Sequence, residues 1–394
     1  MANAASQMFK LILLLGIYTA FVWGNEIPES AEEKIIGCYL ETWAVYRKAE
    51  EKFDIKNIDV SLCSHLFYSF VGLGADASVR LLDPGLDIKN SGFKKFNDLR
   101  IKNPKLKTMV SMGGWNEGSV NYTKVVNNPI LLEKMVVNVV EFVKKYGFSG
   151  FDLDWEYPNQ RNGTDSDKKN FVLLLKKLRE KFDKEDLILS VAVGASKETA
   201  EKSYDIKGIS KYVHFINLMT YDFHGILDKN KRVGHNTPMH HSPKEHGEDR
   251  KLNIEYVVNY WLLEGAEAKK LILGTAFYGK SYTLADPKQV GIGAPFSGEG
   301  KIGSGAYYHI CQLAKNPEWT HIRDHVQQVP YMYKEDQIIV YDDVQSIMKK
   351  AEFVLKNKLG GAFTWSVDQD DFYGNCGEYS PLLKTLNRVL RRRF

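Results

Sequence analysis

What this 394-residue chain lacks narrows its possibilities before any motif is considered. An excess of one charge is missing: 53 Lys and Arg stand against 49 Asp and Glu, and a net +4 spread over the whole length gives no footing for nucleic acid or an acidic partner. The one basic cluster, Arg391-Arg392-Arg393, reads as a solvated helix end, where cations complement the helix dipole. Cysteine is scarce, and Cys38, Cys63, Cys311 and Cys376 lie too far apart for any CxxC pattern, which argues against metal binding through sulfur. No segment offers the roughly 20 apolar residues of a membrane span. Internal repeats, low-complexity tracts and Pro/Ser/Thr-rich linkers are absent, and the sequence shows no separate C-terminal binding module.

What is present begins with a leader. An apolar stretch over 11–24 follows Lys10, carries compact residues at Val22 and Gly24, and gives way at once to polar residues. It reads as a secretory signal peptide over 1–24, with the mature chain starting near Asn25. Export implies an oxidising compartment, so the four cysteines can form two bridges in any of three connectivities. The triplets Asn121-Tyr122-Thr123 and Asn162-Gly163-Thr164 are acceptors for glycosylation, expected on surface loops of a monomer.

Eight short runs rich in β-branched and aromatic residues recur, at 34–40, 65–71, 107–113, 148–155, 187–194, 215–222, 271–279 and 360–366. Segments with helical spacing lie between them. Leu132, Met135, Val136, Val139, Val140 and Val143 form one apolar stripe, and Phe171, Leu174, Leu175, Leu178 and Phe182 form another behind Asp165, the expected N-cap. Eight strands alternating with helices over this length predict an α/β fold, a closed parallel (β/α)8 TIM barrel. The alternative is a doubly wound sheet, but no glycine fingerprint follows a first strand. The gap over 281–346 is too long for one connection and contains strand-like pieces at 328–333 and 337–341 and a glycine turn at Gly298-Glu299-Gly300. It predicts a small α+β insertion between strands 7 and 8.

The most informative string runs from Phe148 through Asp152, Asp154 and Glu156 to Pro158. Alternation along a strand puts the three acids on one face, toward the barrel interior near its C-terminal mouth, with Leu153 and Trp155 on the other. Three like charges side by side are costly unless one holds a proton. A solvated edge strand and a divalent metal site are the alternatives; no further Asp, Asn or His completes a metal shell, so neither metal nor cofactor is expected. The favoured chemistry is general acid catalysis by Glu156, its pKa raised by the neighbouring acids.

The string resembles the DxxDxDxE signature of glycoside hydrolase family 18, the chitinases and chitinase-like proteins. Further pieces match in order: residues Gly37 to Trp43, Ser111-Met-Gly-Gly-Trp115, Met219-Thr-Tyr221-Asp222-Phe-His-Gly225, and Trp365. The similarity runs from about Lys34 to the C-terminal helix. The resemblance implies the barrel with its insertion, bridges pairing Cys38 with Cys63 and Cys311 with Cys376, and a secreted hydrolase of β-1,4 bonds in chitin or chitooligosaccharides. It further implies retention of configuration, with the substrate's acetamido oxygen as nucleophile rather than a second carboxylate. Glu156 would be acid and then base, Asp154 would orient the acetamido group, Asp152 would share its proton, and Tyr221 would donate to the acetamido carbonyl.

The same resemblance assigns sugar contacts to Asp222, a floor to Trp365, and groove walls to Tyr39, Trp43, Phe70, Trp115 and Tyr278, with Gly114 and Met219 inside the matched motifs. Two positions depart from the family pattern. Ser149 replaces the opening Asp, which puts in question support for the Asp152 and Asp154 pair, and Lys280 replaces an Arg, losing its planar fork. The alternative functions are a non-catalytic chitinase-like lectin or growth-factor-like protein, and an enzyme of N-glycan cores or peptidoglycan.

Overall fold

The structure, a computed structural model, describes residues 33–392. The expected leader, and the last residues of the basic terminal run, lie outside that range. Among the described residues no helix is long and apolar enough to cross a membrane.

The strands in chain order are β1 (Ile35–Glu41), β2 (His65–Leu73), β3 (Val79–Leu81), β4 (Lys107–Gly113), β5 (Gly150–Asp154), β6 (Ile188–Gly194) and β7 (Phe215–Met219). They continue with β8 (Leu271–Ala276), β9 (Tyr278–Leu284), β10 (Phe296–Ala306), β11 (Thr320–Asp324), β12 (Val329–Lys334), β13 (Gln337–Val340) and β14 (Gly361–Trp365). The order β1-β14-β8-β7-β6-β5-β4-β2 is parallel throughout, and β1 pairs with β2 to close the ring. This is the predicted (β/α)8 TIM barrel. Each expected run holds a barrel strand. The run over 271–279 is split at Phe277, whose N–H bonds the Trp365 carbonyl at 2.9 Å; beyond it β9 leaves the barrel for a second sheet.

Amphipathic helices cover the outside. Helix Pro129–Tyr146 starts where the Asn128 side chain accepts from the Ile130 and Leu131 N–H groups and stops at Gly147, whose φ of 75° suits a residue without Cβ. Leu132, Met135, Val136, Val139 and Val143 are buried along it, with Val140 packed at the edge. Helix Ser166–Phe182 corrects one expectation: Asp165 has helical angles and makes no capping bond. The buried Asp167 carboxylate instead holds the loop ahead of the helix, accepting Thr164 N–H at 2.9 Å and the Thr123 hydroxyl at 2.7 Å.

The second sheet, ordered β10-β9-β13-β12-β11, is antiparallel and fills the gap read as an insertion, with helix Tyr307–Leu313 in its span. It begins at β9, three residues before the expected boundary of 281. Gly298-Glu299-Gly300 is not a turn but part of β10, beside an irregularity where pairing jumps from Glu299 with Tyr282 to Ser304 with Lys280. The bridges are Cys38 to Cys63 and Cys311 to Cys376, the second joining the inserted segment to the loop after β14. Asn162 lies on an exposed loop, but Asn121 does not: it sits in helix Val120–Val126 and donates its amide to the Leu73 carbonyl at 2.8 Å.

Candidate active site

β5 is buried along its whole length, yet its two faces differ in chemistry. Phe151, Leu153 and Trp155 pack into the apolar layer beneath the helices, and Trp155 donates to Ser119 Oγ at 2.9 Å. Asp152 and Asp154 point the other way, into the ring, as strand alternation requires. Asp152 accepts from Tyr39 Oη at 2.8 Å, Ser111 Oγ at 2.8 Å, Ser190 Oγ at 2.6 Å and Asn217 Nδ2 at 3.4 Å. Burial raises its pKa and those donors lower it, so this carboxylate is the one equipped to carry charge.

Asp154 is in the opposite condition. It is buried, its Oδ1 meets no donor, and its pKa is driven well above the carboxylate range by burial, then by Glu156 and Asp152. The proton of the pair therefore sits on Asp154. Glu156 lies just past the strand, with its pKa raised to about 7. Burial is the first cause, offset in part by Tyr157 and Arg161, and the acid that adds to it is Asp222. Asp154 feels both Glu156 and Asp152. The hydroxyl of Tyr221 is held well above its usual pKa by burial and by Asp154, Asp222, Glu156 and Asp152, which keeps it a donor.

The chain ends around these acids are shaped by two glycines. A Cβ on Gly113 (φ 124°) would meet the Asp154 carbonyl at 2.0 Å, and one on Gly114 (φ 84°) would meet the Phe70 ring at 2.7 Å. With Gly114 in place, Phe70 stacks on Trp365 at 5.6 Å and on Trp43 at 6.2 Å, and Tyr39 approaches Trp365 at 5.7 Å. Trp43 and Trp115 are 44% and 57% exposed, enough ring to offer a ligand. Tyr39 and Tyr278 are not walls, being buried to 1% and 7%: the first serves Asp152 and the second donates to Asp222 Oδ1 at 2.8 Å. Met219, the last residue of β7, is partly buried and packs against the interior cluster of Tyr39, Phe67, Phe215 and Phe363.

Asp222 stands in the left-handed region at φ 59° and its Oδ1 also takes Lys280 Nζ at 2.6 Å, so the residue at the unusual position 280 fixes Asp222. Ser149 is remote from the acids. Its Oγ accepts Thr108 N–H at 3.2 Å and Arg100 Nη1 at 3.3 Å at the opposite end of β5. Ser149→Asp should accordingly leave the pH profile of activity unmoved and kcat/KM within about twofold, as for a substitution outside the site. Sequence reading missed Ser190, Asn217 and Arg161. The first two are isolated polar residues in otherwise apolar runs, which was a legible signal. Arg161, stacked over Trp115 at 3.8 Å and bonded to the Glu156 carbonyl at 3.1 Å, comes from a loop that gave none. Among the described residues the one group of His, Cys, Asp or Glu with ligand atoms within 4.8 Å of one another is Cys311, Asp371 and Cys376, and its sulfurs are joined.

A closed parallel barrel with buried acids on one strand and aromatic rings at the same mouth is the arrangement of a glycoside hydrolase barrel. Residues 35–370 match the sequence profile of Glycosyl hydrolases family 18, and the chain belongs to that family. It is 38% identical to Probable chitinase 2 of Drosophila melanogaster, over 95% of this chain and 80% of that protein. Among solved structures it resembles the Group IV chitinase of Ostrinia furnacalis in complex with allosamidin, with a TM-score of 0.89 and 39% identity over 91% of this chain and 99% of the other. Human YKL-39, described as a pseudo-chitinase with retained chitooligosaccharide binding, aligns with a TM-score of 0.85 and 34% identity, covering 91% and 100%.

Proposed function

We propose that this chain is a secreted chitinase that cleaves β-1,4 bonds between N-acetylglucosamine units of chitin or its oligomers, with retention and with the substrate's acetamido oxygen as nucleophile. In this reading residues 1–24 are removed on export, 25–394 form the catalytic barrel, and 281–346 form an insertion domain beside the groove. The observation that carries it is the pairing of two acids of different condition: the partly exposed Glu156 has its pKa pushed up to about 7, where a proton donor is useful, and the buried Asp154 stands beside it with a free oxygen. Glu156 protonates the glycosidic oxygen and then takes a proton from water. Asp154 orients the acetamido N–H while Asp152 balances its charge, and Tyr221 donates to the acetamido carbonyl. Trp365, Trp43, Phe70 and Trp115 offer ring faces to the apolar C–H faces of the sugars. Asp222, held by Lys280 and Tyr278, faces the same space.

The second reading, a binding protein without turnover, is favoured by the likeness to YKL-39. Incubation with N-acetylglucosamine tetramer, followed by NMR of the fresh products, separates the two. The expected result is cleavage with the β-anomer formed first. Binding without cleavage would sink the hydrolytic reading, and an initial α-anomer would sink retention.

A further inference from the structure

Between the end of β1 and the loop after β14 lies a charged cluster that the chemistry above does not use. Arg47 Nη2 reaches Glu41 Oε2 at 2.5 Å and Asp368 Oδ2 at 2.6 Å, and Nη1 reaches the Asp368 carbonyl at 3.0 Å. Asp368 Oδ1 accepts Glu41 N–H at 3.0 Å, and Gln369 Nε2 binds both Glu41 Oε1 at 2.8 Å and Ser366 Oγ at 3.0 Å. Glu41 and Asp368 are buried, the latter completely. Two buried carboxylates held by a partly exposed cation are a costly way to join two segments, and apolar residues would do so at least as well. What the planar fork adds is geometry: it holds both partners at fixed distance and angle.

Each joined segment carries one of the exposed or half-exposed rings of the groove. Trp43 lies two residues after Glu41, on the short helix Thr42–Tyr46 that ends at Arg47, and Trp365 lies three residues before Asp368. The two rings stand 6.4 Å apart at 42°. The start of the short helix is tied separately, by Thr42 Oγ1 to the Ser69 carbonyl at 2.8 Å; at its far end Tyr46 Oη donates to Asp83 Oδ2 at 2.5 Å, and Arg47 alone reaches across to the Asp368 segment. We propose that Arg47, clamped by Glu41 and Asp368, is a positioning residue that sets the spacing and tilt of Trp43 against Trp365, so that neighbouring sugars of one chain are gripped together. This rests on the chitooligosaccharide reading above.

The test titrates N-acetylglucosamine monosaccharide and tetramer into the full chain and follows tryptophan fluorescence, which reads binding whether or not the ligand is cleaved. Arg47→Lys keeps the charge and loses the fork; tetramer affinity should fall about tenfold with monosaccharide affinity unchanged. Glu41→Gln, of the same shape, should give a smaller loss in the same direction, about threefold, and carries the comparison if the first variant fails to fold. In a Trp43→Ala background, Arg47→Lys should cost nothing more, since residues acting through one another are not additive. Equal losses for monosaccharide and tetramer, unchanged tetramer binding in both variants, or an additive loss on Trp43→Ala would each overturn the proposal. A wild-type chain that binds the tetramer but never cleaves it overturns hydrolysis alone, and the Arg47 comparison still decides.

Discussion

Glu156→Gln should bind N-acetylglucosamine oligomers as the wild type does and cleave them about 10² to 10⁴ times more slowly, the range for loss of a general acid. The amide keeps the shape of the side chain and cannot give up a proton to the leaving oxygen. The measurement is kcat on the tetramer, with binding followed separately. Equal rates for the two proteins would remove Glu156 from the mechanism.

The same residue sets the sign of the pH dependence. Its pKa is raised to about 7, so the protonated form needed for the first step is full below that value and is lost above it. In the wild type kcat/KM should therefore fall on the alkaline side of 7, by about tenfold per pH unit once Glu156 is ionised. A flat profile from pH 6 to 9 would rule out the protonated glutamate. Because Asp222 contributes to the shift, Asp222→Asn should bring the alkaline limb to lower pH.

Asp154→Asn carries the second large effect. The carboxyl has no donor on Oδ1 and is kept protonated in the free protein by burial and by the two acids on either side. In the proposed mechanism an approaching acetamido N–H would supply the missing donor and let the proton pass toward Asp152, so that negative charge is created where the positive oxazolinium ion forms. An asparagine can still accept that N–H but cannot become an anion. Loss of one such electrostatic stabiliser costs about 10² to 10³ in kcat. KM should change little, because the hydrogen bond in the bound substrate survives. A large rise in KM at unchanged kcat would instead make Asp154 a simple binding group.

The contrast between Asp152 and Asp154 shows how far a strand pattern reaches. That both acids point inward followed from alternation alone, and the eight apolar runs required a closed parallel sheet to bury both faces of β5. Which acid would be charged did not follow. Ser111, Ser190, Asn217 and Tyr39 come from β4, β6, β7 and β1, and they surround Asp152 because those strands are aligned in the barrel. Tyr39 illustrates the same gap: an aromatic at a strand end reads as a groove wall, whereas its ring stacks on Phe67 at 4.3 Å and only its hydroxyl matters to the acids.

By itself the sequence determined the barrel, the interruption after its seventh strand, the inward pair Asp152 and Asp154, and the absence of charge that would suit nucleic acid. These depend on periodicity and composition, which are local. The tertiary structure decided the rest: that four donors gather on Asp152 and none on Asp154 Oδ1, that the Asp167 carboxylate holds the loop ahead of its helix, that Asn121 is engaged in a helix, and that Arg47 joins Glu41 to Asp368, more than 300 residues away. Each of these turns on which groups from distant segments meet out of water, where a donor, a charge or its lack shifts a proton.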